Sequence, residues 1–208
     1  MLDKEGFDLW AEEYDRTVRM SDEKDTYPFA GYNRILQTIF REVMRKPQSN
    51  VLEIGIGTGN LASRLYENGH HIDGIDFSET MITLAQEKMP NAHLMKWDIR
   101  EGIPNELRDK KYDAIISTYT LHHLTDEEKI SFILSVFPLL KDDGKIYIGD
   151  ISFHTRAALE KCRQKHIAQW DDDEYYFVYD ELTRKLENHC TCHYEQMSHC
   201  GGLFILSR

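Results

Sequence analysis

The 208-residue sequence lacks both a basic block and a long apolar run. Its formal net charge is -11, from 25 basic and 36 acidic residues. Proteins that bind nucleic acid or anionic membranes normally present a cationic face to phosphate groups. A membrane-spanning helix requires about 18 consecutive apolar residues, and no stretch approaches that length. The composition therefore disfavours a nucleic-acid or membrane partner and favours a small-molecule partner.

Cysteines are also few: the four are Cys162, Cys190, Cys192 and Cys200. The first residues lack the basic head and apolar run of a signal peptide, so we expect reduced thiols and a cytoplasmic location. Thiols and imidazoles bind zinc, and His189 and His193 flank the middle two cysteines. In a strand, however, the two cysteines would share one face and the two histidines the other. The sequence therefore predicts no metal site.

Short β-type apolar segments alternate with amphipathic segments, a pattern typical of a parallel sheet covered by helices. The predicted parallel strands are 50–54, 71–75, 92–96, 112–117 and 145–149. Two later segments, 190–197 and 202–207, are close enough to pair as an antiparallel hairpin. We predict a single α/β domain over 1–208. Its core, 50–150, lies between an N-terminal helical lid, 1–49, and a C-terminal insert and hairpin, 151–208.

Local signals predict several helix ends. Thr125 and Glu128 have the spacing of a capping box, which would start a helix over 126–140. Residues 141–144 tolerate the left-handed conformation and predict a turn where that helix ends. Pro28 is suited to the first turn of a helix over 29–45.

A glycine-rich turn follows the first predicted strand, with glycines at Gly55, Gly57 and Gly59 and with Glu53 ahead of them. Glycine permits positive φ and lets the backbone approach a ligand without an intervening Cβ. Several nucleotide-like ligands use such turns, so the turn alone does not identify its ligand. The spacing excludes the dinucleotide pattern, which would require glycine in place of Asn60.

Two further carboxylates follow the next two predicted strands. Asp76 ends the second strand, where a carboxylate can accept hydrogen bonds from both ribose hydroxyls. Asp98 follows the third strand. Ligands of open α/β sheets bind outside the carboxyl ends of the strands. We therefore expect Glu53, Asp76 and Asp98 to line one site.

The sequence resembles class I S-adenosylmethionine-dependent methyltransferases in its successive motifs, which are the residues 53–59, Asp76, Asp98 and the segment 112–117. The resemblance spans 50–149 in the family's order. It implies a three-layer Rossmann-like fold whose seven-stranded sheet has an antiparallel last strand. It also implies S-adenosylmethionine (SAM) as cofactor, S-adenosylhomocysteine (SAH) as product and a small molecule as methyl acceptor. The segments 7–15, 29–36 and 117–129 further resemble the YrrT-like bacterial methyltransferases, a group defined by sequence rather than by a settled substrate.

The resemblance also implies roles for individual residues. It puts Gly55 and Gly57 beside the methionine portion of the cofactor and Asp76 on the ribose. It puts Asp98 on the adenine amino group, with Ile99 near the ring. The predicted cofactor-binding set is Tyr14, Glu53, Gly55, Gly57, Asp76, Phe77, Asp98, Ile99 and Ser117.

Methyl transfer from a sulfonium is an in-line displacement, so the protein mainly has to align the reactants and exclude water. A dedicated catalytic residue is not required, and the sequence leaves its identity open. His122 is one candidate, since a histidine pKa lies near working pH. His123 is a second; in the structural alternative, one histidine packs or caps the next helix and the other is exposed. Tyr14 is a further candidate, because it resembles a tyrosine of related methyltransferases whose N-terminal helix covers the cofactor.

Aromatic residues concentrate in both segments that flank the core: Trp10, Tyr27, Phe29 and Tyr32 in the first, and Tyr175, Tyr176 and Tyr179 in the second. They could wall an acceptor site or serve packing alone. The rival function is a non-catalytic protein that binds adenosyl compounds on the same sheet. A nicotinamide-dependent oxidoreductase is excluded because the dinucleotide pattern requires glycine at the position of Asn60. The acceptor, the methylated atom and the oligomeric state stay open.

Overall fold

The computed structural model describes residues 16–18 and 20–208. The described residues form eight strands: β1 (Asn50–Ile54), β2 (His71–Asp76), β3 (His93–Lys96), β4 (Tyr112–Thr118), β5 (Leu140–Phe153), β6 (Phe177–Val178), β7 (Thr191–Gln196) and β8 (Gly201–Ser207). They also form these helices: α1 (Tyr32–Val43), α2 (Ala62–Glu67), α3 (Glu79–Lys88), α4 (Asn105–Arg108), α5 (Asp126–Val136), α6 (Arg156–Lys165) and α7 (Tyr179–Leu186). Short 3-10 turns cover Ile99–Glu101, Leu121–His123 and Phe137–Leu139. Residues 20–23 are also helical.

Seven strands form one sheet in the order β3-β2-β1-β4-β5-β8-β7. The first five of that order are parallel, and β8 runs antiparallel to both of its neighbours. The predicted seven-stranded sheet with an antiparallel last strand is therefore confirmed. The two-residue strand β6 was not predicted, and it adds to the end of β5.

The core lies on both faces of the sheet because neighbouring strand residues point to opposite sides. In β1, Val51 joins the cluster that includes α1, α2 and α3. Leu52 and Ile54 join the opposite cluster, which includes α5 and α7. Each such buried side chain contributes about 1.5–3 kcal/mol. None of the helices in the described ranges is both long enough and apolar enough to cross a bilayer.

The capping box at the start of α5 is confirmed. The Thr125 side chain accepts from Glu128 N at 3.3 Å, and Glu128 Oε2 accepts from Thr125 N at 2.7 Å. The predicted turn at 141–144 lies inside β5 as an irregularity of the strand, and none of its residues has a positive φ. The pairing with β4 passes from Tyr112–Leu140 directly to Ala114–Lys145, so these four residues bulge out of the ladder. Gly144 instead allows close backbone approach, since a Cβ there would lie 2.8 Å from Tyr112 O.

The helix predicted over 29–45 begins later, at Tyr32. Gly31 precedes it in the left-handed conformation, with φ of 79°, and a Cβ there would lie 2.9 Å from Ser198 Cβ. Pro28 therefore lies in a turn before the helix, after a cis bond to Tyr27, and not in the first helical turn. The hairpin loop that contains Ser198 packs against this turn.

Candidate active site

The glycine turn leaves β1 through three left-handed residues. Gly55, Gly57 and Gly59 have φ of 67°, 53° and 75°, a conformation that costs other residues roughly 1–2 kcal/mol. A Cβ on Gly55 would lie 2.1 Å from Thr120 Oγ1, whereas one on Gly57 would meet no described atom within 4 Å. Gly55 therefore allows two loops to pack closely. Gly57 faces open space.

Glu53 lies in the strand that ends at this turn, and it is only 2% exposed. Its carboxyl accepts a hydrogen bond from the backbone of Ala62, yet Oε2 has no hydrogen-bond partner among the described residues. Burial raises the pKa of Glu53 to about 8; the Ala62 bond opposes this rise and the nearby Asp76 adds to it. An unsatisfied buried oxygen costs about 1–3 kcal/mol, so this position favours a polar ligand.

Asp76 is buried at the end of β2 and joins two loops. Its Oδ2 accepts from Gly57 N at 2.8 Å, and its Oδ1 accepts from Ser78 N at 2.9 Å. Each carboxylate oxygen has two lone pairs and can accept more than one hydrogen bond. Asp76 therefore holds the glycine turn against the start of α3.

Asp98 lies on the loop next to Asp76, because Trp97 N donates to Asp76 O at 2.7 Å. Asp98 Oδ1 accepts from Arg100 N at 2.9 Å and so caps the turn Ile99–Glu101. Phe77 and Ile99 are both half-buried on these adjacent loops. The structure thus brings the predicted adenine and ribose residues to one edge of the sheet, while their cofactor roles stay predictions.

Ser117 and Tyr119 lie near the end of β4. Ser117 is paired with Ile54 in the sheet, and its buried Oγ has no hydrogen-bond partner in the part of the chain that the structure describes. Tyr119 has φ of 50°; such strain costs of order 1–3 kcal/mol and clusters at functional sites. Its ring lies 5.3 Å from that of Phe29 and 5.2 Å from that of Tyr32. Aromatic residues of the first flanking segment therefore reach the carboxyl edge.

His122 is buried between two carboxylates. Its Nδ1 lies 2.6 Å from Oδ1 of the fully buried Asp150, and its Nε2 lies 3.6 Å from Glu174 Oε1. Burial opposes protonation, but Asp150 and then Glu174 raise the pKa of His122 above its ordinary value. Both ring nitrogens thus face anionic groups. The catalytic role of His122 stays a prediction.

His123 joins the same cluster, with Nδ1 3.9 Å from Glu174 Oε1 and its ring 4.2 Å from that of His122. Burial, with the neighbouring His122, lowers the pKa of His123 to about 2. His122 is buried and His123 is half-buried, which differs from the alternative of one packed and one exposed histidine. The exposure of both rings is reduced by Glu174, which the second flanking segment places over them.

The two flanking segments meet above this cluster. Tyr176 donates to Glu174 Oε2 at 2.8 Å, and its hydroxyl lies 2.5 Å from that of Tyr27. The Tyr27 ring stacks on Trp170 at 5.6 Å. Tyr14 and Trp10 of the first segment lie outside the described residues.

The hairpin separates its cysteines from its histidines as predicted. Cys190 and Cys192 are half-buried against the core, whereas His189 and His193 are exposed. All four cysteines of the chain are free thiols, with Cys162 and Cys200 buried.

The chain is similar over most of its length to known methyltransferases. A family model described as a methyltransferase domain matches residues 51–144. An uncharacterized methyltransferase from Geobacillus sp. (strain WCH70) is 40% identical over 187 residues, which cover 86% of this chain and 84% of the relative. The chain belongs to the class I SAM-dependent methyltransferases. It is therefore an enzyme of the methyltransferase class.

Solved structures show that the methyltransferase has the fold of this family. DhpI in complex with SAH matches with a TM-score of 0.69 at 19% identity, over 98% of this chain and 93% of that chain. The magnesium protoporphyrin IX methyltransferase of Synechocystis PCC 6803 with bound SAH matches with a TM-score of 0.71 at 17% identity, over 99% and 98%.

Four residues that contact the predicted residues of this region were not among the site residues predicted from the sequence: Tyr119, Thr120, Asp150 and Glu174. Asp150 carried a usable signal, since it is a carboxylate inside the apolar run 146–151. Glu174 ends the acidic run 171–174, and nothing local distinguishes it from its neighbours. Its position depends on long-range packing of the second flanking segment.

Proposed function

We propose that this methyltransferase transfers the methyl group of SAM to a small molecule by in-line displacement. The observation that carries the proposal is the glycine turn held at the carboxyl edge of the sheet. Gly57 has φ of 53°, its N–H donates to Asp76 Oδ2 at 2.8 Å, and a Cβ there would meet no described atom within 4 Å. Glycine at such a turn lets the backbone approach a ligand closely.

The chain's own residues would hold the cofactor at three places. Gly55 and Gly57 admit the methionine portion, and Asp76 accepts hydrogen bonds from the ribose hydroxyls. Asp98 accepts from the adenine amino group. Phe77 and Ile99 contact the ring, and Glu53 and Ser117 add polar partners. Tyr14 remains a predicted member of this set, outside the described residues. SAM supplies an activated methyl group on its sulfonium.

Three observations support a small methyl acceptor. The rings of Phe29, Tyr32 and Tyr119 cluster at the end of β4, where Tyr32 and Tyr119 are buried and Phe29 is half-buried. Aromatic side chains with a few polar groups are typical of small-molecule sites. The net charge of -11 and the lack of a basic block disfavour a polyanionic acceptor.

Alignment of the acceptor and exclusion of water supply the catalytic effect in this proposal. His122 holds the loop after β4 in place through Asp150. Its second nitrogen faces Glu174 Oε1 at 3.6 Å, so this proposal assigns His122 a positioning role and not the role of a base. No dedicated base is needed where the acceptor is already nucleophilic.

The proposal is tested by thermal-shift and calorimetric titration. SAM and SAH should stabilise the protein, whereas nicotinamide dinucleotides should not. Incubation with methyl-labelled SAM and a cell extract should then label the low-mass fraction after ultrafiltration. Failure of both adenosyl compounds to bind would sink the cofactor assignment. Label found only in protein or nucleic acid would sink the small-molecule acceptor, and SAM binding without any transfer would favour the non-catalytic alternative.

A further inference from the structure

We infer that His122, His123 and Glu174 form a binding site for a divalent transition-metal ion of the zinc class. One ligand atom from each lies within 4.8 Å of the others. Glu174 Oε1 is 3.6 Å from His122 Nε2 and 3.9 Å from His123 Nδ1. Ligands at about 2.0–2.1 Å from a tetrahedral ion are about 3.4 Å apart. Side-chain shifts of about an ångström would close the site to that geometry.

Asp150 supplies the support that a metal-binding histidine usually has. Such histidines donate their second ring N–H to a carboxylate, carbonyl or water, which fixes the tautomer and the ring orientation. His122 Nδ1 lies 2.6 Å from Asp150 Oδ1, which also accepts from Ile151 N at 2.7 Å. With the proton on Nδ1, Nε2 keeps a lone pair, and this atom lies 3.6 Å from Glu174 Oε1.

The donor set selects the kind of ion. Two imidazoles and one carboxylate suit zinc, cobalt or nickel, whereas magnesium and calcium prefer oxygen ligands. Two carboxylates, Asp150 and Glu174, approach the buried His122 ring, so a divalent cation would offset their charge. Glu174 and His123 keep 18% and 20% side-chain exposure, which leaves a path for the ion. The competing explanation is a protonated His122 paired with both carboxylates and no affinity for metal.

Three protein ligands leave a coordination position open, as in catalytic rather than structural zinc sites. This consequence rests on the proposed function: the open position would take a thiol or hydroxyl of the methyl acceptor. A bound metal lowers the pKa of such a group, which would bind as the anion with its proton released to solvent. The acceptor class is therefore a small thiol or alcohol. Glu174 would tie the second flanking segment to the core through the ion.

The test uses the full-length protein stripped of metal with a chelator. Calorimetric titration with Zn²⁺ should give one site, and Co²⁺ should give the visible absorption of tetrahedral coordination without thiolate charge-transfer bands. His123→Ala and Glu174→Gln should each weaken Zn²⁺ binding at least about tenfold, and Asp150→Asn about 10–100-fold. The matched control is the pair Cys190→Ser and Cys192→Ser in the hairpin, which should keep wild-type affinity.

Three results would overturn the inference: no Zn²⁺ binding at micromolar concentration, unchanged binding in both His123→Ala and Glu174→Gln, or binding lost only with the cysteines. Melting temperatures of the metal-free variants show whether each still folds. SAH titration of the metal-free wild type separates the two proposals. Retained SAH binding without Zn²⁺ binding removes the metal site alone, and loss of SAH binding removes the proposed function.

Discussion

Two regions of this methyltransferase are built from different kinds of contact. The first is the carboxyl edge of the sheet around Gly57 and Asp76, here called the cofactor edge. The second is the contact between the two flanking segments around Tyr27 and Tyr176, here called the flanking side. At the cofactor edge, the Asp76 carboxylate accepts from the backbone of Gly57 and Ser78, all within a short stretch of chain. On the flanking side, the hydroxyls of Tyr27 and Tyr176 meet although 149 positions separate them. Adjacent strand ends fix the first region. Long-range side-chain packing fixes the second.

This difference determines how each region responds to amino-acid substitutions. A substitution at the cofactor edge alters a backbone turn, so it affects folding, ligand binding or both. A substitution on the flanking side removes one side-chain contact and leaves the backbone in place. Variants that separate folding from binding therefore sharpen the comparison most.

The largest effect is expected from Gly55→Ala, compared with Gly57→Ala. Both lose the freedom of a left-handed glycine, worth roughly 1–2 kcal/mol. Only the Gly55 variant also forces a Cβ to 2.1 Å from Thr120 Oγ1, and overpacking adds about 1–3 kcal/mol. Urea denaturation should show a loss of about 2–5 kcal/mol for Gly55→Ala and a smaller loss for Gly57→Ala.

Gly57→Ala should instead lose SAH affinity, because its Cβ would occupy the open space assigned to the cofactor. Calorimetry should show at least about a tenfold loss, or about 1.4 kcal/mol. Equal stability losses in the two variants, with SAH binding intact in Gly57→Ala, would contradict the distinction between the two glycines.

The next effect is the pH dependence of stability that the buried Glu53 carboxyl produces. Its pKa is raised from 4.5 to about 8 in the folded protein. Between these values the unfolded chain ionises first, so the free energy of unfolding should fall as pH rises through this window. The fall should be about 4 kcal/mol between pH 5 and pH 9, since each pKa unit is worth about 1.4 kcal/mol.

Glu53→Gln should remove this contribution to the fall of the unfolding free energy with pH, because an amide does not ionise. Urea denaturation of the ligand-free protein from pH 5 to 9 measures both curves, and their difference isolates Glu53 from the other titrating groups. Parallel curves for wild type and variant would show that the Glu53 carboxyl is not destabilised by burial.

Asp76→Ala should weaken SAH binding by about 1.5–3 kcal/mol, the usual loss for hydrogen bonds to a charged group. The variant also leaves Gly57 N without its acceptor, so some loss of stability should accompany the loss of affinity. Asp109→Ala is the control, since this exposed carboxylate precedes β4 at the opposite edge of the sheet. Wild-type SAH affinity in Asp76→Ala would remove Asp76 from the site.

Most of the cofactor edge could be predicted from the sequence because its signals are local. The spacing of the glycines, Asp76 and Asp98 follows from where strands β1, β2 and β3 end. The capping box at Thr125 is equally local, and it is confirmed. Strand β5 shows the limit of such signals: residues 141–144 do leave the ladder with β4, but they form a bulge within one strand and not a turn between a helix and a strand.

The flanking side could not be predicted in the same way. The contact between Glu174 and the two histidines depends on how the second flanking segment folds back across the end of β5. The start of α1 likewise depends on the packing of Gly31 against Ser198. Neither contact leaves a periodic or spaced pattern in the chain.

The smallest effect tests whether the flanking side is an independent unit. Tyr27→Phe and Tyr176→Phe each remove one hydroxyl of a 2.5 Å hydrogen bond and keep the buried rings. A double-mutant cycle measured by urea denaturation should give a coupling of about 0.5–1.5 kcal/mol. Tyr27→Phe with Tyr175→Phe is the control cycle, since Tyr175 is exposed, and it should give no coupling. SAH affinity should stay within about threefold of wild type, less than 1.4 kcal/mol. A parallel loss of SAH affinity would show instead that the flanking contacts and the glycine turn form one cooperative unit.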